Sequence, residues 1–274
     1  MRGRSFEIET GGVGVICIRD VGKTFEVKDG EPVTALQDIN LEVGEKEFIT
    51  IVGPSGCGKS TLLKLLVGLL PLSTGEIFIR EEKVTGPYRD VGMVFQAPIL
   101  MPWRTVMENI LYPVEILKLR DKDYRRMAED LIELTGLRGF DKHKPRQLSG
   151  GMQQRVSICR ALIYDPLLLL MDEPFGALDA MTREDMGFEL LRIWRERKKT
   201  ILFVTHSISE AILLADRVVV FTPRPGRIAK VIDVELPRPR NAEMEFSPQF
   251  RDHVTEIKRL IFSAREKAGA SAES

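Results

Sequence analysis

Short apolar runs alternate along this chain with segments that carry apolar residues at helical spacing. Runs that predict strands lie at residues 48–52, 91–95, 167–171, 201–204 and 218–221. The unbroken run at 167–171 is typical of a strand buried on both faces. Segments that predict helices lie at residues 62–70, 123–135 and 152–163. Strands that alternate with helices indicate a largely parallel sheet, so we expect an α/β protein.

Two regions depart from this alternation. Polar–apolar alternation at residues 15–25 and 39–43, with a turn at 29–32, predicts a small antiparallel flank within about the first 45 residues. A further strand is expected at residues 76–79. Residues 97–164 are helical in character, which indicates a helical subdomain inserted into the sheet domain.

The chain is expected to form one main domain at residues 14–240, behind a polar lead at 1–13, with a C-terminal segment at 241–274. In that segment, apolar residues lie at helical spacing: Phe250, Val254, Ile257, Leu260, Ile261 and Ala264. They predict a helix that packs on the domain, with contact to a partner protein as the alternative. Residues 269–274 are small and polar, and we expect a disordered tail.

Charge, cysteine content and hydropathy argue against several classes of protein, although a local basic patch is not excluded. Among 274 residues, Lys and Arg number 40 and so do Asp and Glu, so no overall basic field points to nucleic acid. Three cysteines without metal-ligand spacing argue against a disulfide framework. No run of about 18 uncharged apolar residues is present, as a membrane-spanning helix would need. We therefore expect a cytoplasmic chain, unless a partner holds it at a membrane.

The stretch at residues 53–61 carries the clearest chemical signal. It matches the phosphate-binding loop, G-x-x-x-x-G-K-[ST], between a predicted strand and helix, and consists of Gly53, Pro54, Ser55, Gly56, Cys57, Gly58, Lys59, Ser60 and Thr61. Glycines let successive N–H groups turn toward phosphate oxygens, and the helix N-terminus adds positive charge. Lys59 is expected to reach the β- and γ-phosphates, and Ser60 to ligate Mg²⁺. Cys57 is interpreted as a small residue that fits the loop, with a redox switch as the alternative.

Two acids, Asp172 and Glu173, follow the buried run at 167–171. Unpaired buried charge is costly, and the carboxyl end of such a strand faces the ligand crevice of an open α/β sheet. Asp172 is expected to hold Mg²⁺, and Glu173 to polarise the water that attacks the γ-phosphate. The alternative is a pair of helix-capping acids.

Ser149, Gly150 and Gly151 precede another predicted helix and offer a capping hydroxyl, bare N–H groups and a positive helix end. This is a second anion site without a lysine. One nucleotide needs only one phosphate loop, so we interpret the second site as serving a nucleotide held by another copy of the chain.

Together with residues 177–179 and 205–206, these motifs occur in the order and spacing of ATP-binding cassette (ABC) ATPases. The chain resembles that family over residues 15–235, and residues 148–152 resemble its signature. The resemblance implies a P-loop NTPase fold with a RecA-like parallel-sheet core, a small N-terminal antiparallel β subdomain and an inserted helical subdomain. It also implies ATP hydrolysis with ATP and Mg²⁺ as cofactors.

The resemblance assigns further roles. Phe25 would stack on adenine, although a core phenylalanine is the alternative. Gln96 would contact Mg²⁺ and the attacking water, and His206 would touch the γ-phosphate and pair with Glu173. Asp179 would lie in a loop that crosses the dimer interface. The stretch Ser149, Gly150 and Gly151 would close over ATP bound to the opposite subunit.

Residues 94–103 and 221–228 resemble the nitrate, sulfonate and taurine importer group. That resemblance implies partners in separate transmembrane permease subunits and, indirectly, a periplasmic or lipid-anchored substrate-binding protein, with no nucleic acid. The chain would then lie peripherally on the cytoplasmic face of the inner membrane. Two alternatives stand: an ATPase serving a separate-chain exporter or lipid-handling permease, and a soluble ABC protein acting on nucleic acid.

Overall fold

Strands and helices alternate along most of the chain. The computed structural model describes residues 14–28 and 30–272. Its strands are β1 (Ile16–Phe25), β2 (Val33–Val43), β3 (Phe48–Val52), β4 (Thr74–Ile79), β5 (Glu82–Lys83), β6 (Val91–Val94), β7 (Leu168–Asp172), β8 (Thr200–Val204), β9 (Arg217–Phe221) and β10 (Ile228–Asp233). Its α-helices are α1 (Lys59–Leu66), α2 (Val106–Leu117), α3 (Tyr124–Leu134), α4 (Gly150–Leu162), α5 (Ala180–Arg197), α6 (Ile208–Leu214) and α7 (Pro248–Ala272).

The main sheet has six strands in the order β10-β9-β3-β8-β7-β6. All neighbouring pairs are parallel except β9 and β10, which pair antiparallel at one edge. Every residue of β3 and β8 is buried, since helices cover both faces of such a sheet. The predicted α/β fold with a largely parallel core is therefore confirmed.

A second, antiparallel sheet has the order β2-β1-β4-β5. Its core register places Ile16 opposite Val43 on one side and Ile79 on the other, and all three side chains are buried. The prediction that this flank lies within about the first 45 residues is wrong, because β4 and β5 follow α1 in the chain. Apolar alternation identifies β4 as a strand but carries no information on its partner, which tertiary packing selects.

Between β6 and β7 the chain is helical. α2 starts at a capping box of Thr105 and Glu108, and α3 and α4 start at side-chain caps from Asp123 and Ser149. The buried Asn109 side chain bonds to both the N–H and the carbonyl of Met101, which fixes the segment that leads out of β6. That residues 97–164 form a subdomain of their own stays a prediction.

Helix α1 ends at Leu66, before the predicted limit at residue 70. Gly68 has φ 69°, in the left-handed region, and the N–H of Leu69 bonds back to the carbonyl of Lys64. Glycine adopts the left-handed conformation at little cost, so the chain can turn out of the helix at this position.

The C-terminal helix α7 packs on the main domain as predicted, with Phe250 and Ile257 buried against Ile212 and Val220. It extends to Ala272, and disorder of the tail at residues 269–274 stays a prediction. The polar lead at 1–13, Asp29 of the expected turn, and the last two residues of the tail lie outside the described residues. No helix among those described is both long and apolar enough to span a bilayer.

Candidate nucleotide site

Four neighbouring strands carry most of the predicted site residues at their carboxyl ends. β3, β8, β7 and β6 lie side by side. The phosphate loop follows β3, His206 follows β8, Asp172 ends β7 with Glu173 next to it, and Gln96 follows β6. Parallel strands end at the same edge of a sheet, so motifs far apart in the chain meet at one crevice.

The phosphate loop leads directly into α1. Gly58 caps the helix with φ 104°, a conformation that favours glycine, and its carbonyl accepts the first helical hydrogen bond from Leu62. The Lys59 side chain is buried along the loop, and its Nζ donates to the carbonyl oxygens of Gly53 (3.0 Å) and Pro54 (3.1 Å). The ammonium group thus lies within the curl of the loop.

Ser60 and Asp172 meet across the site, where the Ser60 hydroxyl donates to Asp172 Oδ1 at 2.7 Å. Burial raises the pKa of Asp172 above its ordinary value, and the hydrogen bond from Ser60 acts in the opposite direction. The two predicted metal ligands are thus brought together as an oxygen pair.

Glu173 and His206 form the second pair, with 3.4 Å between Glu173 Oε2 and His206 Nδ1. Glu173 has φ 46°, which is uncommon for a residue with a side chain. Its N–H donates to Val204 and its carbonyl accepts from Gly176, both at 3.0 Å, and these bonds hold the turn. The strained turn holds the Glu173 side chain beside the imidazole.

A polar network that sequence reasoning missed supports His206. The hydroxyl of Thr205 donates to the buried carboxylate of Glu210 and accepts from the N–H of Ser207 at 3.0 Å. Ser207 in turn caps α6 by accepting from the N–H of Glu210 at 3.3 Å. Burial raises the pKa of Glu210. The Ser-x-x-Glu spacing of a helix start was the available signal.

Gln96 lies beside the same turn. A Cβ added at Gly176 would be 3.1 Å from Gln96 Nε2, so the amide packs against the turn that follows Glu173. The preceding carbonyl, that of Phe95, accepts from the buried Gln154 side chain of α4 at 3.2 Å. Helix α4 is therefore hydrogen-bonded directly to the residue that precedes Gln96.

A cavity of about 480 Å³ opens over the phosphate loop. Its lining combines loop residues, an apolar side, Glu173 and one arginine: Phe25, Val33, Ala35, Ser55, Gly56, Gly58, Lys59, Ser60, Thr61, Glu173 and Arg224. Phe25 is 36% exposed at this wall and does not lie in the core. Arg224 was missed as a site residue, because the turn that contains it has no local phosphate-binding pattern.

Ser149, Gly150, Gly151 and Asp179 lie at the starts of α4 and α5 and do not line this cavity. Ser149 caps α4 by accepting from Met152, and Asp179 caps α5 by accepting from Thr182 at 3.0 Å, which lowers the pKa of Asp179. Ser149 and Gly150 are exposed, whereas Gly151 is buried, since a Cβ there would be 2.9 Å from Thr182 Cγ2. The starts of α4 and α5 thus pack together and form an exposed surface separate from the cavity.

Comparison with known proteins agrees with this geometry. The family model described as ABC transporter matches residues 36–176. An uncharacterized ABC transporter ATP-binding protein of Methanocaldococcus jannaschii is 50% identical over 82% of this chain and 84% of its own length. The aliphatic sulfonates import ATP-binding protein SsuB of Bacillus cereus is 46% identical over 87% of this chain and 94% of its own length.

Solved structures show the same relationship. The dimeric, post-hydrolysis structure of the ATP-binding cassette MJ0796, bound to ADP and Pi, has a TM-score of 0.70 and 34% identity, covering 81% of this chain and 100% of that one. The P-loop NTPase fold is thereby confirmed. The protein therefore belongs to the ABC transporter family, as an ATP-binding subunit that hydrolyses ATP.

Proposed function

We propose that this chain is the energy-coupling subunit of an importer for small anions of the sulfonate, nitrate and taurine type. The observation that carries the proposal is the 46% identity to an aliphatic sulfonates import ATP-binding protein over 94% of that protein. In this proposal the transported anion contacts separate permease subunits and their substrate-binding protein. The chain itself is held peripherally at the cytoplasmic face of the membrane by the permease.

The site fits Mg²⁺ together with ATP. Mg²⁺ prefers oxygen ligands and is commonly held by one or two carboxylates and the substrate phosphates. Ser60 Oγ and Asp172 Oδ1, 2.7 Å apart, supply such oxygens, and the Gln96 amide would add a third. When bound, the ion would neutralise charge on the phosphate oxygens.

The protein's own groups then have separable tasks. Lys59 would exchange its bonds to the carbonyls of Gly53 and Pro54 for bonds to phosphate oxygens. Glu173 would orient the attacking water and accept its proton. His206, 3.4 Å from Glu173, would contact the γ-phosphate, and Thr205 would fix the backbone on which it is carried. Phe25 would stack on adenine at the apolar side of the cavity.

A second copy of the chain would complete the site. Ser149 and Gly150 are exposed, and together with Gly151 and Asp179 they lie away from the cavity of their own chain. A head-to-tail dimer would bring them over the ATP of the partner, and the dimeric form of the solved cassette supports this arrangement. Hydrolysis would separate the halves, and Gln96 with the helical region would pass the motion to the permease.

A growth experiment tests the importer assignment. The chain is expressed in a Bacillus strain that lacks its own aliphatic sulfonates import ATP-binding protein, with an alkanesulfonate as the sole sulfur source. Restored growth is expected, and the Lys59→Ala variant should not restore it. Copurification with the host permease is measured in parallel. A copurifying chain that hydrolyses ATP but restores no growth would contradict the assignment to sulfonate import.

A further inference from the structure

The loop between β9 and β10 contacts the phosphate loop from outside. We call this segment the clamp loop; it consists of Thr222, Pro223, Arg224, Pro225, Gly226 and Arg227. Its ends are bonded together, since the N–H of Thr222 donates to the carbonyl of Arg227 at 2.9 Å and the N–H of Arg227 donates to the Thr222 hydroxyl at 3.0 Å. The Thr222 hydroxyl can donate its proton to the carbonyl of Pro223 at 3.1 Å or to that of Pro225 at 3.3 Å, both within the loop. These bonds close the segment into a defined loop.

The clamp loop is anchored on β2. The N–H of Gly226 donates to the carbonyl of Ala35 at 2.9 Å, and the carbonyl of Gly226 accepts from the N–H of Gln37 at 3.0 Å. Since β2 belongs to the antiparallel sheet and the clamp loop to the main sheet, this anchor joins the two sheets beside the nucleotide cavity.

From this anchored position, Arg224 holds one peptide group of the phosphate loop. Its Nε and Nη2 donate to the carbonyl oxygen of Gly56 at 3.2 and 3.1 Å. The C=O of a trans peptide points opposite to the N–H of the next residue. Fixing the Gly56 carbonyl therefore fixes the N–H of Cys57, which points into the loop toward the carbonyl of Pro54 at 3.4 Å.

We propose that Arg224 is a nucleotide-positioning residue, whose guanidinium fork keeps the Gly56 peptide oriented so that the phosphate loop is preformed for ATP. The proposal rests on the nucleotide site proposed above. Arginine suits the task because its planar fork donates two bonds to one oxygen, whereas lysine offers a single point charge. Arg224 also lines the cavity, so its charge contributes to an environment that favours phosphate.

The test compares Arg224→Ala and Arg224→Lys with a matched control, Arg227→Ala. Arg227 belongs to the same loop but faces Asp38, with 3.8 Å between its Nη2 and the Asp38 carboxylate. KM and kcat for MgATP are measured by phosphate release with the full chain, and the Kd for MgATP by competition with a fluorescent ATP analogue. Amide hydrogen exchange of residues 53–58 is measured without nucleotide.

For Arg224→Ala we expect KM and Kd to rise about five- to tenfold, kcat to change less than about twofold, and exchange at residues 53–58 to accelerate. Arg224→Lys should recover part of the affinity, and Arg227→Ala should match the wild type in every measurement. Unchanged KM in Arg224→Ala, full recovery by lysine, or an equal rise in Arg227→Ala would each overturn the proposal.

Lys59→Ala separates this inference from the assignment of the site. If Lys59→Ala binds MgATP as the wild type does, the phosphate-loop assignment itself fails. If Lys59→Ala loses binding while Arg224→Ala keeps wild-type Kd and exchange, only the role of Arg224 is overturned.

Discussion

Gly226 lies so close to the phosphate loop that it leaves no room for a side chain. A Cβ at this position would be 1.9 Å from the carbonyl oxygen of Cys57 and 3.2 Å from Leu36 Cδ2. An ordinary carbon–oxygen contact is about 3.3 Å, so Gly226→Ala has to displace backbone by about 1.4 Å. Gly226 is bonded through both its N–H and its carbonyl to β2, so we expect the phosphate loop to be the part that moves.

Both the stability and the activity of Gly226→Ala follow from this overlap. Forcing extra atoms into a packed contact costs about 1–3 kcal/mol, and a chain of this size loses about 2–4 °C in Tm per kcal/mol. We therefore expect a Tm lower by about 2–12 °C. Misplacing a catalytic element by about 1 Å lowers the rate by about a hundredfold, so kcat/KM for MgATP should fall by about that factor.

Thermal unfolding and phosphate release measure the two effects, with Gly86→Ala as the control. A Cβ at Gly86 would meet nothing within 4 Å, so this variant should behave as the wild type. If Gly226→Ala keeps kcat/KM within about twofold, the reasoning is refuted whatever the Tm. A lower Tm with unchanged kinetics would show that β2, and not the phosphate loop, absorbs the overlap.

Three further predictions concern the site. Glu173→Gln should lower kcat about 10²–10⁴-fold while keeping ATP affinity, and should elute as a dimer from size-exclusion chromatography only with MgATP; wild-type turnover would remove Glu173 from the role of base. Ser149→Arg should abolish turnover but leave the Kd of the single subunit unchanged, and lost binding would contradict the assignment of Ser149 to the partner's nucleotide. Burial raises the pKa of the Cys57 thiol above its ordinary range, so alkylation should be slow at pH 7 and accelerate with rising pH. ATP should protect Cys57 from labelling in mass spectrometry, and labelling that ATP does not affect would place the nucleotide elsewhere.

The local pattern of apolar residues is enough to predict several elements of this fold. β3 spans Phe48–Val52 and α3 spans Tyr124–Leu134, as the apolar spacing predicts. The spacing of apolar residues within a short segment shows which face of a strand or helix is buried, so these elements can be predicted without knowledge of the rest of the chain. The predicted end of α1 at residue 70 is wrong, because the left-handed turn at Gly68 ends the helix although the apolar run continues past it. The partners of β4 were not predictable at all, because alternation identifies a strand and not its neighbour.

Some features of the site can likewise be predicted from the sequence, and others depend on the tertiary structure. The motif around Lys59 and the acids after β7 carry their own chemical pattern, so the sequence alone determined the phosphate loop, the acid pair and the cassette family. The contact between Arg224 and Gly56 joins residues separated by 168 positions, and a turn rich in proline and glycine carries no sign of it. Only the tertiary structure decided that contact, because β9 lies next to β3 in the sheet and its outgoing loop therefore falls beside the loop that follows β3. The order of strands in a sheet depends on packing among residues far apart in the chain, so a local sequence pattern does not predict it.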